Sequence, residues 1–240
     1  MKHKLVFCAA LALAGGAEIA EAATTTYNVT TTWFEPETQP FDSIFTGTFT
    51  YDDTSKTVSN LRGMLSESMT GDQLGGTPMT WLTLNYQLLS WHDASLGGTF
   101  AATFKNNSTH TFSTDGTSSD WSPQAGVNGG GTYYGYPTKA TGIANPGNAY
   151  ALIFIPDTPL TPLNQAQIDK LAYADCAPGG MMGATCMTGT SLAGYGATGT
   201  MEGIPLSQTI TAAVPEPESY ALLLAGLGLM GTIARRRRAA

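Results

Sequence analysis

The sequence predicts a mostly β chain: an antiparallel, sandwich-like single domain with one short helix, preceded by an N-terminal signal helix and followed by a C-terminal transmembrane helix. Three observations predict it. Threonine is the commonest residue and 28 of the 240 residues are glycine, a composition suited to strands joined by turns. Several stretches alternate apolar and polar residues with period two. Each end of the chain carries a short apolar run beside positive charge.

The elements follow in chain order. Lys2 and Lys4 precede an apolar run over residues 5–14, and Ala20 and Ala22 stand at the minus-three and minus-one positions of an A-x-A cleavage site. That is the anatomy of a secretory signal peptide, residues 1–22, cut by signal peptidase after Ala22. The run is too short to span a bilayer, and Cys8 leaves with it. Residues 23–213 then form the exported domain. A first strand is predicted over residues 27–34. In "IFTGTFTYDD", residues 44–53, Phe45, Gly47, Phe49 and Tyr51 alternate with Thr46, Thr48 and Thr50. This gives one apolar face and one threonine face. Residues 57–61 make a further short strand. "WLTLNYQLL" puts Leu82, Leu84, Tyr86 and Leu88 on one side, with Trp81 at its start as a core side chain. "TFAATF" groups Phe100, Ala102 and Phe104. "AYALIFIP", residues 149–156, is continuously apolar and closed by proline, as expected of a central strand covered on both faces. Residues 132–136, 199–204 and 209–213 complete the strands. The helix is predicted in "TPLTPLNQAQIDKLAYADC", with Thr161 as N-cap, Pro162 at the first helical position and an apolar stripe of Leu163, Ala166, Ile168, Leu171 and Ala172.

Between residues 24 and 213 there are 5 basic and 14 acidic residues. No basic patch is available to displace counterions from phosphates, so nucleic acid is excluded as a partner. Cys176 and Cys186 are the only cysteines left after signal removal. In an oxidising compartment they are expected to form a structural disulfide across "APGGMMGAT". A zinc site needs more ligands than these, and a redox pair prefers CxxC spacing. His92 adjoins Asp93, but neighbouring strand residues point to opposite faces, so a surface histidine is expected. GxSxG and HExxH motifs are absent, and no catalytic residue, metal site or cofactor is predicted. Asp52 and Asp53 follow a strand and read as a hairpin turn. Trp33, Trp81, Trp91, Trp121 and "GGGTYYGYP" supply aromatic faces that either fill the core or stack on sugar rings. Tyr133, Tyr134 and Tyr136, set among glycines, are the candidates for carbohydrate contact.

The last segment, residues 214–240, has three parts in order. Pro215, Glu216 and Pro217 hold the chain extended. Residues 220–234 carry no charge and include Gly226, Gly228 and Gly231. Arg235, Arg236, Arg237 and Arg238 follow at once and hold the C-terminus on the cytoplasmic side. The apolar run has 15 residues, against the roughly 17–25 of a stable span. Such a segment suits transient retention. This tail resembles the PEP-CTERM sorting signal. The resemblance implies recognition by exosortase, a multi-pass membrane protease, and cleavage near the Pro-Glu-Pro motif. It further implies transfer to the surface or release from a Gram-negative bacterium that makes extracellular polysaccharide. "GTFTYD", residues 47–52, is similar to the first strands of other exported PEP-CTERM proteins and names no activity.

The sequence therefore leads to an exported cell-surface or extracellular-matrix protein, non-catalytic and associated with extracellular polysaccharide or biofilm. The competing expectation is a secreted glycan-acting hydrolase or carbohydrate-binding module. A hydrolase would need two carboxylates placed about 5–9 Å apart, and the sequence assigns no such pair.

Overall fold

Period-two alternation is realised in a pair of five-stranded antiparallel sheets. The structure, a computed structural model, describes residues 24–35, 41–68, 70–72, 75–112, 122–125, 147–176, 187–191, 194, 203–213, 225–227 and 230. The first sheet runs β10 (Ile204–Ala212), β1 (Thr24–Phe34), β2 (Ser43–Asp52), β3 (Thr57–Glu67) and β4 (Thr80–Leu84). The second runs β5 (Leu88–Asp93), β6 (Gly98–Phe104), β7 (Ala149–Pro156), β8 (Ala172–Asp175) and β9 (Met187–Gly189). Within each sheet, strands that follow one another in sequence are neighbours, and the last strand returns to pair with the first. The fold is thus an up-and-down circuit, opened between β4 and β5 and between β9 and β10. The second opening is bridged by a parallel pair, Gly189 with Gly203.

The alternation in β1 and β2 points Val29, Thr31, Trp33, Phe45, Phe49 and Tyr51 inward. Gly47 and Gly63 face each other on this side, and a Cβ on either would strike the Phe45 ring. They are glycine because the ring occupies that space. The alternation of β3 is interrupted by a bulge opposite Phe49, with Asn60 at φ 55°. The strand therefore runs on to Glu67, six residues past the expected end. β7 lies in the middle of the second sheet and is buried along its whole length, as its apolar run predicts. An aromatic cluster continues behind it. Phe100 meets Trp91 and Phe154, while Phe104 and Tyr150 meet Phe112 from a 3-10 turn (Thr109–Phe112).

Polar side chains stitch the sheets together. Gln208 on β10 accepts from Phe154 N at 3.1 Å and donates to Phe154 O, continuing the ladder of β7 beyond the end of β8. Thr99 and Thr103 on β6 donate to Lys56 O at 2.9 Å and Leu84 O at 3.2 Å. Asn148 closes the other end of β6 and β7, accepting from Asn106 N and donating to Asn106 O.

Several expectations are corrected. The stretch from Trp81 to Leu88 is not one strand. It breaks at Asn85–Gln87, where the chain crosses from the first sheet to the second and leaves Tyr86 exposed. Leu82 and Leu84 do face inward, so alternation turns Trp81 outward, 38% exposed, and among the described residues the fully buried tryptophan is Trp33. The helix α1 is one turn, Gln165–Ile168, capped by Asn164 and not by Thr161. The Asn164 side chain accepts from Gln167 N, and the Gln167 side chain accepts from Asn164 N. This capping box outcompetes the Thr-Pro start. Ala172 leaves the expected helical stripe to open β8. Residues 209–212 belong to a single strand that starts at Ile204, Ala213 lies just past its end, and residues 199–202 and 132–136 of the expected strands lie outside the described residues. Among the described residues no helix is long and apolar enough to cross a membrane. Residues 225–227 and 230 are helical, and the rest of the expected transmembrane helix lies outside the described residues, as does the signal helix.

Candidate functional site

Most of the site residues singled out from sequence lie outside the described residues: Ala20, Ala22, Tyr133, Tyr134, Tyr136, Cys186, Pro215, Glu216, Pro217 and Arg235, Arg236, Arg237 and Arg238. Cys176 is described, buried at the end of β8 and disulfide-bonded. Asp52 does form the turn expected of it. Its carboxylate accepts from Thr54 N at 2.9 Å and Ser55 N at 3.0 Å, and these bonds hold its pKa below the usual carboxylate range.

The outward face of the first sheet is built by the threonines that alternate with the core residues of β1, β2 and β10. One register row runs Thr209, Thr30, Thr46, Met64 and Thr83 across all five strands. A second runs Thr211, Asn28, Thr48 and Arg62. A third runs Ser207, Thr32 and Ile44. It continues through Ser66, whose hydroxyl accepts from Ile44 N at 2.7 Å, to Trp81. Rows of this kind set side chains about 4.8 Å apart across strands and about 6.8 Å apart along them. The side chains turned outward include two charged ones, Asp52 and Arg62. Phe34 and Ile204 pair at the end nearest Trp81, and both are exposed. The threonine face of β2 was legible in the sequence; its extension over five strands depends on register.

A second cluster lies buried where the two sheets meet near the β9–β10 opening. Tyr173 Oη donates to Glu35 Oε1, and the Ser43 hydroxyl lies 2.9 Å from Tyr173 Oη and 3.1 Å from Ser68 Oγ. Glu35 is 4% exposed, and its Oε2 has no hydrogen-bond partner among the described residues. Burial pushes the Glu35 pKa up to about 7. The hydrogen bonds from Ser43 and Tyr173 oppose the rise, and the nearby Asp42 charge adds to it. Burial and the Glu35 charge together raise the Tyr173 phenol well above its usual range. Sequence reasoning missed this group because its members come from strands far apart in the chain.

His92 does not meet Asp93. Its Nε2 lies 3.0 Å from Asp157 Oδ1, reaching at the surface across the start of β6 to the residue that follows β7. Asp93 instead closes its own turn through Ser95 and Leu96. A cleft of about 140 Å³ lies between Leu160–Leu163 and β10, below the roughly 300 Å³ at which ligand pockets begin. Among the described residues no group of three or more His, Cys, Asp or Glu is placed to hold a metal ion.

The family model of the PEP-CTERM protein-sorting motif matches residues 213–238, which confirms the reading of the tail. No curated protein and no solved structure matches the chain. The motif marks an exported protein that exosortase processes. It leaves the β domain without a family.

Proposed function

We propose that the chain is a non-catalytic component of the cell surface or extracellular matrix, associated with extracellular polysaccharide or biofilm and delivered in two cuts. Signal peptidase removes residues 1–22 after Ala22. Exosortase then cleaves near Pro215, Glu216 and Pro217 while Arg235, Arg236, Arg237 and Arg238 hold the C-terminus on the cytoplasmic side of a Gram-negative inner membrane. The observation that carries the reading is the sorting motif at residues 213–238, which begins where β10 ends at Ala212. The motif thus follows a folded β domain directly, as suits a cargo that is folded outside the membrane before its tail is cut.

The intact mass of the protein, recovered separately from membranes, culture fluid and the polysaccharide fraction, tests the reading. The expected species begins at Ala23, ends near Pro217 and is enriched with the polysaccharide. Replacing Glu216 by Ala is expected to leave the tail attached without unfolding the domain. A surface species that retains Arg235 to Ala240 would make the tail a permanent anchor and overturn the sorting step.

A second reading, a secreted glycan-acting hydrolase, draws on Glu35. A carboxyl group that holds its proton near neutrality is what a glycosidase uses as its general acid. Glu35 faces the interior between the sheets, however, with Tyr173 and Ser43 around it. Glycan cleavage by the wild-type chain that is lost in Glu35→Gln would establish this reading against the first.

A further inference from the structure

We propose that the outward face of the sheet β10–β1–β2–β3–β4 is a docking face for a neutral polysaccharide chain. Its threonine rows form the hydrogen-bonding grid, and Trp81 and Phe34 form a stacking platform at one end. The inference rests on the association with polysaccharide proposed above and adds the surface that would make it.

Three properties select this occupant. The first is accessibility. Thr30, Thr46, Thr83 and Thr209 share one row and are all exposed, so no described residue covers that row. The second is charge. The solvent face of an antiparallel sheet ordinarily carries lysines and glutamates, whereas this one turns out Asp52 and Arg62 and otherwise neutral groups. The chain is net −7, so a polyanionic glycan or nucleic acid would be repelled from a face without a basic patch to hold it. The third is the chemistry of the side chains. Each threonine hydroxyl both donates and accepts, which matches the hydroxyls of a sugar. The side chain is β-branched and stiff, so little rotamer entropy is lost when it binds. A sugar ring also has an apolar C–H side, for which Trp81, 38% exposed, and Phe34, 47% exposed, offer flat partners.

A protein partner fits less well. Protein interfaces gather their aromatic anchors at the centre of the patch, and here Phe34 and Trp81 lie at one end, while the remainder carries threonine hydroxyls with Asn28, Arg62 and the exposed Met64 among them. The small cleft beside β10 shares Thr209 with this face and is otherwise lined by Gln208, Ile210 and the stretch from Leu160 to Leu163.

The test uses the protein as recovered from producing cells, with laminarin and cellulose as neutral probes and alginate as the anionic one. Wild type is expected to bind a neutral probe at least about tenfold more tightly than alginate. Trp81→Ala, and separately Thr30→Glu with Thr46→Glu, are expected to weaken that binding about tenfold or more. All three positions are exposed, so the circular dichroism spectrum should not change; the two facing carboxylates of the double variant repel each other and lower its melting temperature, so binding is read well below that temperature. If the variants bind as wild type does, the face is wrong while the association with polysaccharide stands. If wild type binds neither neutral probe, the docking face is overturned, and the association is then judged separately by fractionation of the producing culture. If wild type binds neither probe but sediments as a dimer that Trp81→Ala dissociates, the face belongs to a second copy and the proposal is overturned.

Discussion

Glu35 sits against Tyr173 and Ser43, its second carboxylate oxygen unpaired among the described residues, and burial lifts its pKa from an ordinary 4.5 to about 7. The folded state therefore holds a proton that the unfolded chain releases above pH 4.5. Stability from this group is fully present below that pH and is lost as pH rises through 7. Over that window the loss is on the order of 3 kcal/mol. Thermal melts at pH 5 and pH 8 should show wild type losing stability while Glu35→Gln, neutral at both, loses much less. Equal slopes for the two proteins would mean that the Glu35 proton is not linked to folding. None of this was legible in the local sequence, where Glu35 falls just after the expected first strand and before Pro36. The tyrosine that meets it is 138 positions away, and the His92–Asp157 pair spans 65 positions. Local periodicity cannot show contacts that the strand circuit creates at such range; it set His92 and Asp93 on opposite faces but could not bring His92 to Asp157.

Elements were legible where alternation was unbroken or burial complete. β1, β2 and β6 follow the period-two signal, and β7 the continuous apolar run, each within a few residues. The same signal failed for reasons that can be named. The bulge at Asn60 shifts the phase of β3 midway, the crossing near Tyr86 splits one periodic stretch between two sheets, and β8 is buried on both faces. Without alternation, "AYAD" joined the helical pattern before it. Edges also depend on side chains that propensity does not weigh. Beyond β8, the backbone N–H and C=O of Phe154 are paired, among the described residues, by the Gln208 side chain. Gln208→Ala should leave that N–H and C=O unsatisfied and cost roughly 1–3 kcal/mol in denaturant unfolding. Gln208→Glu should not recover the loss, because it supplies no donor to Phe154 O. We further expect Cys176 to be bridged to Cys186. Cys176→Ser should then destabilise by about 2–3 kcal/mol and abolish the stability difference between oxidised and reduced protein.

At the scale of the molecule, the up-and-down circuit makes the two ends of the domain mutually dependent. β10 is the last strand, yet it pairs with β1, the first, over eight register positions from Tyr27 with Ala212 to Phe34 with Ile204. The final tie is Ala213 N to Thr26 O at 3.0 Å. The sorting motif begins at that same residue, so domain and tail meet with no spacer between them. Cleavage near Pro217 leaves β10 and its pairing with β1 whole. Cleavage a dozen residues earlier would strip β10, expose the inner edge of β1 and remove Gln208 from β7. A chain ending at Ala213 should therefore melt cooperatively within a few degrees of one that retains the tail. A chain ending at Gly203 should lose cooperative unfolding and gain the exposed apolar surface that binds hydrophobic dyes. If the shorter chain melted like the longer one, the closure of the circuit by β10 would be dispensable. The position of the cut would then be set by the protease alone and not also by the fold.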